Sequence, residues 1–185
     1  KDSVYKNLKF VEKYKLKLCS GWYGANLRTN SVKEEIELIQ NQLKLFKDCN
    51  SPCMVFAEVS DSVQGDPNKR LSERPKMNLE ESKAFYKKIS EIAKYLQDQG
   101  MPLAYHHHMG TVIETENDTI QLLESTDDSV KLTLDTGHML FAQGNSKKIL
   151  EDFSGRTIHI HCKDIRKSVL DNSLEKDLSF RGAFL

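Results

Sequence analysis

The stretch YHHHMGT at residues 105–111 decides how this chain is interpreted. The sequence has six histidines, and all of them lie between His106 and His161. The other histidines fall in DTGH at residues 135–138 and HIHCKD at residues 159–164. Each stretch ends an apolar run rich in β-branched residues, which is typical of a strand. Histidines and a carboxylate at the ends of successive strands predict a divalent metal site in an α/β barrel.

Strand and helix signals alternate through the chain. Helix starts are indicated by the capping residues Ser31, Asn78 and Thr115, and a further helix is predicted over residues 146–153. Short apolar runs predict strands at residues 53–60, 102–108, 130–134 and 157–163, and residues 15–24 are predicted to form a strand that runs into a Gly-containing loop. Strands that alternate with helices favour βαβ crossovers and a parallel sheet.

The number of strand–helix units sets the expected fold class. Five βα units in 185 residues do not close an eight-stranded barrel, which usually needs about 250 residues. The sequence therefore predicts one α/β domain over residues 1–185, an incomplete (β/α)8 TIM barrel. The alternative is a self-contained doubly wound sheet. It is less favoured because no Gly-rich phosphate-binding fingerprint follows any strand.

Composition limits the classes of partner. Lys plus Arg and Asp plus Glu are balanced at 27 each, so neither nucleic acid nor a membrane surface is the expected partner. No apolar run approaches the roughly 18 residues of a membrane span. The four cysteines show no disulfide-framework spacing, which favours reduced thiols and a cytoplasmic location. A small molecule is the expected partner, and nothing in the sequence indicates an oligomeric state.

Strand geometry predicts which of these side chains meet. Side chains alternate along a strand, so His106 and His108 face one side and His107 the other, while His161 and Lys163 share a face. In a barrel the carboxyl ends of the strands converge on one site. The predicted site, a cup at the carboxyl ends of the strands, contains three kinds of group. They are the imidazoles of His106 or His108, His138 and His161, the carboxylate of Asp135 and the ammonium of Lys163. Such nitrogen and oxygen donors suit Mn, Fe, Co or Zn.

Glu58, Trp22 and Lys163 each allow a functional and a structural interpretation. Glu58 ends its strand and fits a substrate contact or a base, but a salt bridge is an equal alternative. Trp22 fits a wall that faces a sugar, or ordinary packing. Lys163 fits catalysis, or a structural ion pair with Asp135 or Asp164.

Taken together, the motifs resemble the inosose dehydratases of bacterial inositol catabolism, within the xylose-isomerase-like TIM barrels. The resemblance rests on residues 106–111, 135–138 and 159–164, with SVQG at 62–65 and DLSF at 177–180 in support. It covers nearly the whole chain. It implies strands three to seven of the barrel, with the first two strands before Lys1 and the last beyond Leu185.

The resemblance also implies a metal site. The superfamily binds its metal through Glu, Asp, His and Glu on strands five to eight. Asp135 matches the strand-six Asp and His161 the strand-seven His. His106 stands at the strand-five Glu position, with His108 and Glu114 as other candidates for that ligand. The family is associated with manganese or cobalt, and glutathione is a further candidate cofactor.

The implied reaction removes water from 2-keto-myo-inositol, a polyol ketone. His138 or Lys163 would take the proton next to the ketone, and the other would protonate the leaving hydroxyl. Glu58, His108 and Trp22 are the expected substrate contacts. The alternatives are a metal-dependent sugar isomerase or epimerase of the same superfamily, or a non-catalytic degenerate barrel.

Overall fold

Five parallel strands form the centre of the protein. The computed structural model describes residues 9 and 11–184. Each strand pairs with the next one along the chain, in the order β1-β2-β3-β4-β5. The strands are β1 (Trp22–Ala25), β2 (Met54–Glu58), β3 (Leu103–His106), β4 (Lys131–Asp135) and β5 (Thr157–His161).

Helices connect the strands. They are α1 (Val32–Asp48), α2 (Leu79–Asp98), α3 (Glu116–Glu124), α4 (Thr136–Phe141), α5 (Ser146–Asp152) and α6 (Lys167–Glu175), with short 3₁₀ turns at Leu71–Glu73 and Gly182–Phe184. The predicted caps Ser31, Asn78 and Thr115 are confirmed, and each forms a reciprocal capping box. A cap of this kind stabilises a helix by about 1 kcal/mol. Among the described residues, no helix combines the length and apolar character needed to cross a bilayer.

Strand order separates the two predicted architectures. A doubly wound sheet reverses its strand order at a switch point, whereas a barrel adds each new strand beside the previous one. The sequential order seen here is that of a barrel, so the doubly wound alternative is wrong. The structure confirms a TIM-barrel-like α/β fold with a five-stranded parallel sheet.

The main core lies between the sheet and the helices. Phe56 and Tyr105, from neighbouring strands, are fully buried against Phe85 and Ile89 of α2. Burial of each such side chain contributes about 2–3 kcal/mol. Because side chains alternate along a strand, the neighbours of these core residues point to the opposite face of the sheet. His106, next to Tyr105, is thereby directed away from α2.

The predicted strand at residues 15–24 is mostly wrong. Only Trp22–Ala25 pairs with β2. Lys15 has a φ of 53°, and Leu16 is 59% exposed. The alternating Lys and Leu residues at 15–18 have the sequence pattern of a half-buried strand, but a strand also needs a neighbouring backbone with which to form hydrogen bonds. β2 supplies one only near the end of this range, where the Val55 N–H donates to the Gly21 carbonyl at 3.1 Å and the pairing begins at Trp22.

The long loop before α2 is tied to the end of the chain. The backbone N–H of Leu71 donates to the Leu178 carbonyl at 3.2 Å. The Asp177 carboxylate accepts from the backbone N–H of Ser72 at 3.2 Å and also from its hydroxyl. These bonds hold the segment after α6 across the carboxyl ends of the strands, where the histidines lie.

Candidate functional site

Asp135 is the centre of the histidine cluster. It is the last residue of β4 and is fully buried. Its Oδ1 accepts the backbone N–H of His138 at 3.0 Å, which caps α4. Its Oδ2 lies 2.6 Å from Lys163 Nζ, 3.1 Å from His161 Nδ1 and 3.3 Å from His106 Nε2. One carboxylate therefore caps the N-terminus of α4 and also contacts an ammonium and two imidazoles from the neighbouring strand ends.

The donor atoms fit a divalent metal ion. His106 Nε2 lies 3.0 Å from His161 Nδ1, so these two nitrogens and Asp135 Oδ2 are all within 3.3 Å of one another. Adjacent ligand atoms about 2.1 Å from an octahedral ion lie roughly 3.0 Å apart. A wider group joins His106, Asp135 and His138, whose ligand atoms lie within 4.8 Å. His138 Nε2 is 4.0 Å from Asp135 Oδ2, so it lies outside the tighter set of three atoms.

Backbone carbonyls fix the tautomers of two imidazoles. His106 Nδ1 makes a short hydrogen bond with the carbonyl of His107, and His108 Nδ1 donates to the carbonyl of Met109 at 2.8 Å. In a neutral ring each bond places the proton on Nδ1 and leaves the lone pair on Nε2. For His106 that lone pair faces Asp135 and His161, which is the orientation that a metal ligand needs.

Asp135 is held in its ionised form. Burial alone would raise the pKa of its carboxyl, but the contact with the His106 ring and the hydrogen bond from the Lys163 ammonium outweigh burial and hold the pKa well below its usual range. The Lys163 ammonium, whose side chain is 51% exposed, is the closest cation to this carboxylate in the described part of the chain. Of the two structural pairings predicted for Lys163, the structure has the one with Asp135.

The imidazoles of His107, His108 and His138 are neutral. Burial is the largest cause, and the neighbouring histidines add to it. Together they lower the pKa of His107 to about 3, of His108 to about 4 and of His138 to about 2. Burial followed by His106 lowers the pKa of His161 as well. Neutral rings retain the lone pair that metal binding and proton transfer both require.

Acid is expected to destabilise the protein below about pH 6.5, the usual pKa of an unfolded histidine. His107, His108 and His138 keep their lowered pKa values only while folded. As the pH falls, the unfolded chain binds these protons first, so the stability present above about pH 6.5 is lost on acidification. These three groups by themselves contribute at most about 4 kcal/mol per pH unit.

Urea unfolding followed from about pH 7.5 to about pH 5.5 measures this loss. A free energy of unfolding that stays constant across the interval would contradict three buried neutral rings. The matched variant is His107→Gln, which removes one titrating group and is expected to reduce the slope by about 1.4 kcal/mol per pH unit at most.

Two aromatic rings border the cluster. Trp22 is 41% exposed, and its ring lies 5.4 Å from that of His106 and 5.6 Å from that of His108. Phe180 stacks on His138 with ring centroids 5.6 Å apart. No local pattern in the sequence predicted a role for Phe180, and its only signal was the DLSF stretch of the family resemblance.

An adjoining cavity of about 340 Å³ opens beside His138 and Lys163. Aromatic and aliphatic side chains, including Phe141, Ile165 and Phe180, form much of its lining, and Asp164 and Arg166 add charge. The cavity gives the cluster space for a small ligand at the carboxyl ends of β4 and β5.

Glu58 does not join the cluster. It is almost fully buried, and its two oxygens accept the backbone N–H groups of Leu27 at 2.7 Å and Ser60 at 2.7 Å. Burial raises the pKa of this carboxyl, although the hydrogen bonds from Ser60 and Leu27 oppose the shift. The Glu58 carboxylate therefore links the loops after β1 and β2 through hydrogen bonds. This role differs from the expected substrate contact or salt bridge.

Glu114, an alternative strand-five ligand, is also engaged elsewhere. Its Oε2 accepts the Gly110 backbone N–H at 2.7 Å, and its Oε1 lies 3.4 Å from Arg74 Nε. Arg74 also contacts Asp118 at 3.0 Å and the Val112 carbonyl at 3.3 Å. Arg74, which no sequence pattern singled out, thus holds the loop that follows the histidine triplet.

Comparison with known proteins agrees with this architecture. The model of the xylose isomerase-like TIM barrel family matches residues 6–183. Rhizopine catabolism protein MocC of Rhizobium meliloti is 35% identical over 175 residues, which covers 95% of this chain and 54% of MocC. Inosose dehydratase 2 of Bacillus cereus is 32% identical over 177 residues, covering 95% of this chain and 59% of that protein. The chain therefore spans little more than half the length of these relatives.

A solved structure shares the fold at lower identity. The probable 3-DHS dehydratase AsbF from Bacillus anthracis superposes with a TM-score of 0.67 at 16% identity, over 90% of this chain and 58% of that chain. Identity this low supports the fold alone. The family model, however, extends over nearly every residue, and so the chain belongs to the xylose isomerase-like TIM barrel family.

Proposed function

We propose that this chain carries the metal-binding half of a cytoplasmic hydro-lyase that removes water from 2-keto-myo-inositol in inositol catabolism. The observation that carries the proposal is the convergence of His106 Nε2, Asp135 Oδ2 and His161 Nδ1 within 3.3 Å. The identity to an inosose dehydratase, 32% over 95% of this chain, supports the choice of reaction.

The single domain over residues 1–185 would form part of an eight-stranded barrel. β1 to β5 would correspond to strands three to seven, so Asp135 and His161 would take the ligand positions on strands six and seven. Sequential parallel pairing of the five strands supports this correspondence. Active sites of such barrels lie at the carboxyl ends of the strands, which is where Asp135 and His161 lie.

His106, Asp135 and His161 would hold a divalent ion, with manganese or cobalt as the expected metal. When bound, such an ion supplies Lewis-acid polarisation of the substrate ketone. Asp135 contributes the negative charge, and its capping bond to His138 fixes the orientation of the carboxylate. The carbonyl of His107 keeps the His106 lone pair directed toward the other two ligands.

The elimination needs a proton acceptor for the carbon next to the ketone and a proton donor for the departing hydroxyl, which then leaves as water. Lys163 is an ammonium paired with Asp135, and it is the proposed donor. An imidazole, His138 or His108, is the proposed acceptor. The hydrogen bonds favour His108, because His138 Nδ1 accepts the Met109 N–H at 3.4 Å, which places the ring proton on Nε2.

Trp22 is proposed as the wall against which the substrate ring lies. Its indole is partly exposed beside His106 and His108, so it can pack against the apolar C–H face of a polyol. We do not extend a substrate role to Glu58, since both of its oxygens are occupied by backbone N–H groups.

Product analysis on the purified full-length protein tests the reaction. The protein is incubated with Mn²⁺ or Co²⁺, with and without glutathione, and offered 2-keto-myo-inositol or ketohexoses. Dehydration creates a new enone or diketone absorbance and a product lighter by one water. An isomeric product from a ketohexose would instead identify an isomerase or epimerase. Metal binding without turnover of any substrate would indicate a non-catalytic barrel.

A further inference from the structure

We propose that His107 is a positioning residue that sets the orientation of two metal ligands at once, Asp135 and His106. The inference rests on the metal centre proposed above. His107 is fully buried, and it is the one member of the histidine triplet that strand alternation directs away from the cup. Its side chain and its backbone carbonyl act on different ligands.

The His107 ring holds the backbone of Asp135. The register of β3 with β4 ends at the pair His106 and Thr133. Two residues further along β4, the Asp135 backbone N–H donates to His107 Nε2 at 3.1 Å. A side chain thus takes the place of a strand carbonyl at the point where β3 ends. This bond fixes the backbone from which the Asp135 carboxylate extends.

The His107 carbonyl holds the ring of His106. Because β3 ends at His106, the carbonyl of the next residue is free to turn toward the His106 Nδ1–H, and the two make a short hydrogen bond. A metal-bound histidine commonly donates its other ring N–H to such a carbonyl, which raises its basicity and fixes its rotation. The same residue therefore couples the ends of β3 and β4.

The protonation of His107 agrees with this role. Accepting a bond at Nε2 requires the neutral ring. The proton then lies on Nδ1, which is buried and has no hydrogen-bond partner among the described residues. A buried unsatisfied donor costs about 1–3 kcal/mol. An apolar residue would avoid that cost, so packing alone does not explain an imidazole here.

The test compares Mn²⁺ affinity in two amide variants by titration calorimetry. In His107→Gln the amide oxygen reaches the position of Nε2 and can accept the Asp135 N–H, whereas in His107→Asn it is one methylene short. We expect His107→Asn to weaken Mn²⁺ binding by about 10- to 100-fold, a typical loss for a residue that orients a ligand. His107→Gln is expected to remain within about threefold of the wild type.

The matched control is Tyr105→Phe. Tyr105 lies in β3, two residues before His107, and is fully buried, and its hydroxyl has no hydrogen-bond partner among the described residues. Its loss should leave Mn²⁺ affinity unchanged. All variants are compared by circular dichroism, and His107→Leu replaces His107→Asn if the latter does not fold.

Two results would overturn the role of His107 alone. They are a His107→Asn variant that binds Mn²⁺ like the wild type, and a folded His107→Gln variant as weak as His107→Asn. A wild-type protein that binds no Mn²⁺ would instead remove the metal centre of the proposed function, and this inference with it. The two failures are therefore distinguishable.

Discussion

Replacing Asp135 by asparagine is expected to abolish tight Mn²⁺ binding and to lower turnover of 2-keto-myo-inositol by about 10³-fold or more. The carboxylate is the only anionic member of the proposed ligand set, and its Oδ2 faces both ligand histidines. Asparagine keeps an oxygen that can cap α4 through the His138 N–H, so the fold should persist. Metal titration, initial rates and urea unfolding measure the three quantities.

Asp152→Asn is the matched control for this substitution. Asp152 is half-exposed and pairs with Lys148 at 3.1 Å on the surface of α5, an interaction that contributes about 0–1 kcal/mol. The control should bind Mn²⁺ and turn over substrate like the wild type. An Asp135→Asn protein with full metal occupancy and undiminished turnover would reject the ligand assignment.

Replacing Lys163 by methionine is expected to lower kcat by about 10²- to 10⁴-fold, the usual contribution of a positioned proton donor. Mn²⁺ binding should persist or become tighter. The Lys163 ammonium lies 2.6 Å from the Asp135 oxygen that would bind the ion, so its removal ends a competing interaction. The combination of lost turnover and retained metal separates Lys163 from Asp135. Calorimetry and steady-state rates on one preparation give both values.

Lys163→Arg and Lys167→Met complete the comparison. A guanidinium keeps the positive charge beside Asp135 but does not release a proton near neutral pH, so Lys163→Arg should also be slow. Lys167 pairs with Asp171 on the exposed face of α6, and its loss should change neither quantity. If Lys163→Met kept wild-type kcat, Lys163 would be only the structural partner of Asp135.

Local signals in the sequence predicted the helix starts well. Ser31, Asn78 and Thr115 cap their helices as expected, because a cap is made within four residues and needs no distant partner. The strand at 15–24 failed for the opposite reason. Whether Leu16 belongs to a strand depends on a backbone partner, and β2 pairs only with Trp22–Ala25.

The candidate site was predicted in part. Spacing placed His106, Asp135, His138, His161 and Lys163 at strand ends, and the structure brings the other four around Oδ2 of Asp135. Spacing could not show that Glu58 and Glu114 are held by backbone N–H groups. Those bonds come from loops whose paths are set by the whole fold.

The sequence by itself determined the alternation of strands and helices, the helix caps and the histidine-rich strand ends. Each of these depends on residues within a few positions of one another. Only the tertiary structure decided the partners: Phe180 on His138, Arg74 on Glu114, and the His107 ring on the Asp135 backbone. These contacts join residues that are 28 to 42 positions apart. No local pattern encodes such contacts, because strand pairing and packing bring the residues together.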